Sequence, residues 1–132
     1  EFNLMEPIIS EHNDFRGSLS ALNFKDLKFE PKRIFYVKNV PRNTERGNHA
    51  HHTTQQYLIC LEGKVRVKLF DGHKETHHLL EKNQMIFIDK LIWDSQAYLT
   101  GNDTLLSLCS TEYNPSDYIL DIEEFKNLKE LK

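Results

Sequence analysis

Short runs rich in β-branched and aromatic residues, each ended by a turn signal, make up most of this chain. Residues 33–40 form one such run, which Pro41 ends. Residues 65–69 alternate apolar with basic side chains, as a half-buried strand does, and Asp71-Gly72 follows as a hairpin signal. Strands that recur about every 8–12 residues, without a long helical pattern between them, predict an all-β sandwich or barrel.

One short helix is expected near the C-terminal end. Residues 121–128 have apolar side chains three apart and acidic residues at their start, which favours a helix there. A chain of 132 residues without linker or repeat can bury one core. We therefore predict a single domain over residues 7–132. Residues 1–6 are predicted to be a vector-derived or disordered segment, with the natural start at Met5.

Composition and charge exclude several classes of function. A formal net charge of −3 argues against a general nucleic-acid binder, which needs a surplus of Lys and Arg. The longest apolar run, residues 57–61, is far shorter than the roughly 20 residues that cross a bilayer, so no membrane partner is expected. Cys60 and Cys109 lie in apolar runs, where buried thiols are expected rather than a disulfide or nucleophile. No secretory signal opens the chain, which predicts a cytoplasmic protein.

Three of the seven histidines fall within four residues, at positions 49, 51 and 52. His49 and His51 are two apart, so on an extended segment both project to the same face. If that face is a barrel interior, two imidazoles share one cavity, and imidazole exchanges protons near neutral pH. A loop with surface histidines is the alternative interpretation.

The surroundings of this pair resemble the first motif of the cupin family, in which Gly, His-x-His, an acid and a second Gly recur. Here Gly47 precedes the pair, Gln56 follows His51 after four residues, and Gly63 follows after six more. The resemblance implies a jelly-roll β-barrel. We therefore expect an all-β cupin barrel with a short C-terminal helix.

Two departures from that motif bear on metal binding. Gln56 stands where metal-binding cupins usually have Glu, and Asp94 stands where a second motif usually supplies a further His. Two imidazoles and a neutral amide make a poor ligand set for zinc or iron. Asp94 would complete a set of two histidines and one carboxylate, and that alternative stays open. We predict a proton-transfer site without metal or other cofactor.

Further motifs resemble the sugar 3,4-ketoisomerase family as an ordered set. They are residues 14–19, 33–36, 46–51, 55–56, 61–64 and 113–119. The resemblance implies a homodimeric cupin that moves the keto group of dTDP-4-keto-6-deoxyglucose from C4 to C3, for amino sugars of surface polysaccharides. A 3,5-epimerase of the same substrate class and a non-catalytic sugar-binding cupin are the rival hypotheses.

The implied reaction needs a base that removes the C3 proton and an acid that protonates C4. It also needs a hydrogen-bond donor to the enediolate oxyanion and a binding site for the diphosphate. By resemblance, His49 is the first choice for the base and His51 is the second catalytic histidine. Tyr36 is predicted to hydrogen-bond the sugar or relay a proton, with a barrel-wall aromatic as the alternative.

The predicted substrate-binding residues are Arg16, Arg46, Gln56, Trp93 and Asp94. Arg46 offers forked donors to sugar or diphosphate oxygens, with a solvated surface arginine as the alternative. By resemblance, Arg16 lines the sugar site and influences which face of C4 is protonated, with a structural position in a turn before a strand as the alternative. Gln56 and Asp94 are expected to orient rather than transfer protons. Trp93 is expected to stack on the thymine, with a buried core tryptophan as the alternative.

Overall fold

The computed structural model describes residues 3–130, which form eleven β-strands, two short 3-10 turns and one α-helix. The strands are β1 Ser10–Asp14, β2 Gly17–Ala21, β3 Arg33–Lys38, β4 Thr44–His51, β5 Gln56–Glu62, β6 Val65–Phe70, β7 Glu75–Leu80, β8 Met85–Ile88, β9 Trp93–Tyr98, β10 Thr104–Cys109 and β11 Tyr118–Ile119. The helix α1 spans Ile122–Glu130. The 3-10 turns are Phe24–Asp26 and Pro115–Asp117.

Two antiparallel sheets form the body of the molecule. One has the strand order β3-β10-β5-β8 and the other β11-β4-β9-β6-β7, while β1 and β2 pair only with each other. The main core combines side chains from both sheets, among them Leu58 and Ile86 from the first and Val67 and Tyr98 from the second. This arrangement confirms the predicted all-β fold. Within residues 3–130 no strand pairing joins the two sheets, so the barrel is open along its edges.

Alternation along the strands creates a second, smaller core on the outer side of the five-stranded sheet. Ala50, Trp93 and Ile119 point outward from β4, β9 and β11, and all three pack against Phe125 of α1. Asp121 starts this helix by accepting a hydrogen bond from the backbone N–H of Glu123, at 2.9 Å. The predicted C-terminal helix is confirmed, and it covers the far side of the strands that carry the histidines.

The N-terminal segment divides into a packed part and a projecting part. The backbone N–H of Phe87 donates to the carbonyl oxygen of Leu4 at 2.8 Å, and Leu4 and Met5 pack against the core. All ten residues of β1 and β2 are exposed, so this hairpin stands away from the sheets. The fold thus includes Leu4 and Met5 from the segment predicted to be vector-derived or disordered. No helix among the described residues has the length and apolarity needed to span a bilayer.

Buried Asp103 joins two neighbouring turns. Its carboxylate accepts hydrogen bonds from the backbone N–H groups of Lys64 at 2.7 Å, Thr100 at 3.0 Å and Gly101 at 3.2 Å. Gly63 makes this possible, because its φ is +83° and a Cβ there would lie 2.9 Å from the Cα of Asp103.

We expect Gly63→Ala to lower the free energy of unfolding by roughly 2–4 kcal/mol, because it combines a strained φ with a backbone clash. Gly101→Ala is the matched control, since Gly101 also has a positive φ of +86° but its nearest neighbour would lie 3.7 Å away. That variant should lose only about 1–2 kcal/mol. Urea unfolding measures both, and equal losses would contradict the role given to the Asp103 contact.

Candidate active site

A cavity of about 90 Å³ lies between the two sheets. Its polar lining consists of Arg46, His49, Gln56, Gln96, Tyr98 and Ser107, and the remainder is mainly apolar. The wall comes from β3, β5 and β10 on one side and from β4 and β9 on the other. A cleft with an apolar wall and a few converging polar groups is the usual form of a small-molecule site.

His49 and His51 meet on the inner side of β4, while Ala50 between them points outward into the second core. The ring centroids of the two imidazoles are 5.1 Å apart and the planes are nearly perpendicular, at 88°. Tyr118 of β11 contacts both rings, at centroid distances of 5.1 Å from His49 and 4.4 Å from His51. This is the arrangement that the two-residue spacing predicts for an extended strand.

Asp117 holds one side of the His51 ring. Its Oδ2 lies 3.1 Å from His51 Nδ1. The carboxylate also accepts hydrogen bonds from the backbone N–H and hydroxyl groups of Thr53 and Thr54, at 2.5–3.2 Å. Burial acts to raise the pKa of Asp117, but hydrogen bonds from Thr54, Thr53 and His51 outweigh it and leave the pKa below its ordinary value. Asp117 is therefore a carboxylate at neutral pH.

A carboxylate at this position determines the tautomer of His51. Nδ1 carries the proton that is donated to Asp117, and the lone pair of Nε2 is left free. His51 is only 4% exposed, and Nε2 is buried with no hydrogen-bond partner among residues 3–130. Burial, opposed by Asp117 and reinforced by the positive charge of Arg33, lowers the pKa of His51. At neutral pH the ring is thus a neutral base with an unoccupied acceptor atom.

His49 is also neutral at neutral pH. Burial, together with the repulsion that a protonated His51 would exert, lowers the pKa of His49 to about 4. Two neutral imidazoles therefore lie side by side; His49 lines the cavity, and only His51 is held by an acidic partner. Paired groups with different environments can divide the base and acid roles of one reaction.

Asp94 lies beneath the cavity, directly opposite His49 in the pairing of β4 with β9. Burial raises the pKa of its carboxyl group to about 8. Gln96 donates from Nε2 to Asp94 Oδ1 at 2.5 Å, whereas Oδ2 has no partner among the described residues. The amide of Gln96 occupies the space that a side chain at Gly47 would need, at 3.0 Å from the Cβ position. Gly47 thus leaves room for the Gln96 amide, which lines the cavity and hydrogen-bonds Asp94.

The structure brings together five of the eight residues predicted for the site. They are Arg46, His49, His51, Gln56 and Asp94. Gln56 is buried, lines the cavity and donates from Nε2 to the sulfur of Cys109 at 3.6 Å. Arg46 is exposed at the same cavity and opens onto solvent.

Tyr36 is placed outside the cavity, against the prediction of a catalytic role. Alternation along β3 turns Phe35 and Val37 inward and Tyr36 outward, where it is 65% exposed. Its ring lines a surface groove that Arg46 also borders. The predicted hydrogen bond to the sugar therefore has no support from the geometry of this chain.

Trp93 and Arg16 are also apart from the imidazoles. Because Asp94 lies on the inner side of β9 with Gln96, the preceding Trp93 points outward, where its ring centroid lies 5.7 Å from that of Phe125. The core alternative for Trp93 is thus correct, and thymine stacking is not. Arg16 lies at the tip of the exposed β1–β2 hairpin and pairs with Asp14 at 2.7 Å.

Sequence reasoning missed Asp117, Tyr118 and Gln96. Asp117 and Tyr118 belong to residues 113–119, which carried the family resemblance without an assigned role. Asp117 is 66 residues from His51, so no local spacing indicates their contact. Gln96 lies two residues after Asp94 on β9, so the two-residue period of a strand predicts that both side chains face the same side.

The alternative metal set of His49, His51 and Asp94 finds no support. Within residues 3–130 no three His, Cys, Asp or Glu side chains are placed to hold one metal ion.

Comparison with known proteins places these residues in context. Residues 4–130 match the family described as FdtA: WxcM-like, C-terminal. A protein of Aneurinibacillus thermoaerophilus named TDP-4-oxo-6-deoxy-alpha-D-glucose-3,4-oxoisomerase is 31% identical over 115 residues, which is 86% of this chain and 83% of that protein.

Two solved structures share the fold. A 3,4-ketoisomerase from Helicobacter canadensis superposes with a TM-score of 0.87 at 36% identity, over 93% of this chain and 94% of that chain. QdtA, a sugar 3,4-ketoisomerase from Thermoanaerobacterium thermosaccharolyticum in complex with TDP, superposes with a TM-score of 0.90 at 28% identity, over 98% and 94% respectively. The cupin-type fold predicted from the His-x-His motif is confirmed.

Removal of the Asp117 charge tests the electrostatic description of His51. We expect Asp117→Asn to lower the pKa of His51 further, because the carboxylate raises it by hydrogen bond and by charge. Titration of the imidazole signals by NMR measures the change. Asp89→Asn is the control, since Asp89 is an exposed carboxylate that contacts Gln55 rather than the imidazoles. An unchanged His51 pKa in Asp117→Asn would contradict the pairing.

Proposed function

This chain belongs to the family described as FdtA: WxcM-like, C-terminal, and on that premise we propose that it is a sugar-nucleotide 3,4-ketoisomerase. It converts TDP-4-keto-6-deoxyglucose to a TDP-3-keto-6-deoxyhexose, by analogy with the substrate named for its relative. The observation that carries the proposal is the buried His51–Asp117 pair, with Nε2 of His51 free beside His49.

His51 is the group best suited to remove the proton from C3. The C4 carbonyl acidifies that proton, and the C–H electron pair becomes the C3=C4 double bond of an enediolate with its charge on O4. The proton moves to His51 Nε2, and Asp117 stabilises the imidazolium that forms. This assigns the base to His51, whereas resemblance made His49 the first choice.

The second half of the reaction returns a proton to C4. Its source is the imidazolium that the first half forms on His51, either directly or through His49, which accepts a proton from His51 on one ring nitrogen and gives one up from the other. Transfer of the C3 hydroxyl proton to O4 and protonation of carbon C4 leave the ketone at C3 and a hydroxyl at C4. His49 lies 5.1 Å from His51 between centroids and lines the cavity, so the two rings can serve adjacent carbon atoms of one sugar. No electrons leave the sugar, and the reaction therefore needs no redox cofactor.

The deciding experiment follows TDP-4-keto-6-deoxyglucose by proton NMR in D2O with the purified protein. We expect loss of the C3 proton signal and arrival of deuterium at C4 of a 3-keto product, and no product with His51→Asn. Exchange at C3 and C5 with the ketone still at C4 would instead indicate a 3,5-epimerase. Binding without any exchange would indicate a non-catalytic cupin, and either result would contradict the proposal.

We also propose that the protein is a homodimer in which a second copy covers the β1–β2 hairpin. An isolated two-stranded hairpin is marginally stable in water, and this one exposes Phe15 to 96% and Leu19 to 61%. Edge strand β3 exposes Ile34 and Tyr36 as well. Apolar surface of this kind favours association with another chain.

Light scattering after gel filtration tests the dimer. The unaltered protein should have twice the mass of one chain, and Phe15→Asp should shift the population toward the monomer because it places a charge on the hairpin tip. Leu79→Asp is the matched control, since Leu79 is a partly exposed apolar residue of β7 in the other sheet. A monomeric unaltered protein would contradict the dimer without affecting the proposed reaction.

We further propose that the enzyme works in the cytoplasm and supplies amino sugars for surface polysaccharides. A 3-keto product offers an electrophilic carbon at which an amine can replace oxygen. The next enzyme would then be an aminotransferase that acts on a nucleotide-linked sugar. The family resemblance supports this place in a reaction sequence, and the cytoplasmic site rests on the sequence pattern alone.

A further inference from the structure

We propose that Tyr118 is a positioning residue of the reaction, whose ring holds the two imidazoles at their mutual angle and keeps water from the side of the pair that faces β11. Neither the sequence motifs nor the predicted site gave Tyr118 a role. The role rests on the proposed function, because it concerns the two histidines of that reaction. Three features support it: the position of Tyr118 on β11, its contacts with both imidazoles, and the lack of an acidic partner for His49.

The pairing of β11 with β4 places Tyr118 on the inner side of the sheet. Tyr118 is directly opposite His51, and Ile119 is opposite Ala50. Residues opposite one another project to the same side, so Tyr118 faces inward with the imidazoles while Ile119 packs against α1. Strand β11 has two residues and lies at the edge of the five-stranded sheet, beyond β4. The Tyr118 ring therefore stands between the imidazoles and the open edge of the sheet.

Tyr118 contacts both imidazoles at once. Its ring centroid lies 4.4 Å from that of His51 at an interplanar angle of 55°, and 5.1 Å from that of His49 at 67°. With the 5.1 Å between the two imidazoles, the three centroids form a nearly equilateral triangle. Tilted and edge-to-face contacts at these distances are the ones that aromatic rings favour. Neither imidazole can change its plane without displacing Tyr118 or the other imidazole.

His49 depends on this contact more than His51 does. The His51 ring is oriented by Asp117, which lies 3.1 Å from Nδ1. Within residues 3–130 no carboxylate pairs with the His49 imidazole, and its ring has a hydrogen bond to the backbone of Gly47. A single hydrogen bond fixes one atom of a ring but not its plane. Packing against Tyr118 and His51 therefore sets the plane of the His49 ring.

Tyr118 is itself held in place by its neighbours. The ring centroid of Tyr113 lies 6.0 Å from that of Tyr118, and the guanidinium carbon of Arg33 lies 4.9 Å from the Tyr113 centroid. The backbone N–H of Tyr118 donates to the carbonyl oxygen of Pro115, which closes the 3-10 turn that contains Asp117. One short segment thus supplies a carboxylate to one imidazole and an aromatic wall to both.

Burial is the largest cause of the low pKa of both imidazoles, and the Tyr118 ring contributes to that burial. The other groups that act on the pKa of His51 are Asp117, which raises it, and Arg33 and His52, which lower it. On the neighbouring strand β9, the carboxyl group of Asp94 has a pKa of about 8. A substitution of Tyr118 leaves all these charges in place. Water admitted beside the rings should therefore raise both imidazole pKa values toward the ordinary 6.5.

Three substitutions at position 118 separate packing from proton transfer. Tyr118→Phe keeps the ring and should keep the kcat of the unaltered protein. Tyr118→Ala should lower kcat about ten- to a hundredfold, the cost of a small misplacement of a catalytic group, with little change in KM. Tyr118→Leu restores apolar volume without a flat ring, so its kcat should fall between the two, and it also serves as the better-folded variant.

Phe29→Ala is the matched control for the loss of an aromatic ring. Phe29 is also half-buried and also contacts two rings, those of Tyr57 and Phe87, in a separate apolar cluster. This variant should keep the kcat of the unaltered protein. Far-UV circular dichroism and melting temperatures establish that each variant is folded.

Titration of the imidazole signals by NMR, on the protein without substrate, gives a readout that does not depend on turnover. Tyr118→Ala should raise the pKa of both His49 and His51, whereas Tyr118→Phe and Phe29→Ala should leave them unchanged. A base must be neutral to accept a proton, and a raised pKa keeps it protonated up to a higher pH. The acid limb of the profile of kcat/KM against pH should therefore move to higher pH in Tyr118→Ala.

The outcomes separate the role of Tyr118 from the proposed function. An equal loss of kcat in Tyr118→Phe and Tyr118→Ala would overturn the inference, because it would place the hydroxyl group in proton transfer. Unchanged kcat and unchanged imidazole pKa values in folded Tyr118→Ala and Tyr118→Leu variants would also overturn it, and so would an equal loss in Phe29→Ala. If the imidazole pKa values depend on the Tyr118 ring but the unaltered protein produces no exchange in D2O, the ketoisomerase alone is contradicted.

Discussion

The carboxylate of Asp117 connects three parts of the chain. It accepts hydrogen bonds from the residues that link β4 to β5, and it orients His51 at the end of β4. Its own position comes from the 3-10 turn that leads into β11, and β11 pairs with the same part of β4. Because these bonds keep Asp117 charged inside the protein, the His51 tautomer is determined before any ligand arrives. The chemistry of the cavity depends on this contact more than on the number of histidines near it.

Strand alternation explains which site predictions from the sequence agree with the geometry and which do not. His49 and His51 are separated by two positions, and their rings meet. Trp93 and Asp94 are adjacent, so only one of them can face the cavity, and the side is decided by α1, which covers Trp93. Tyr36 lies outside the cavity for the same reason, because its neighbours Phe35 and Val37 point inward. The two-residue period of a strand allows only one of Trp93 and Asp94 on the inner side, and it places Tyr36 on the opposite side from Phe35 and Val37.

Long-range contacts could not be obtained from local pattern. The β-runs, turns and terminal helix follow from residue types that are close in sequence, and these predictions agree with the structure. The Asp117–His51 pair and the Arg33–Tyr113 contact join residues that are far apart in the chain, and they arise only once the sheets are assembled. The family resemblance predicts the reaction. The protonation states of the neutral imidazole and its carboxylate partner follow only from the folded structure.

Ala50 links the active face of β4 to the helix on its reverse side. Its methyl group is fully buried against Trp93, Ile119 and Phe125, and the imidazoles flank it in sequence. A larger side chain at position 50 would have to displace either the helix or the strand, and movement of the strand would carry both rings with it. The position of both rings relative to the opposite sheet thus depends on a hydrophobic contact on the outer side of β4. Substitutions in this packing between β4 and α1 would therefore change turnover at a smaller displacement than the one that unfolds the protein.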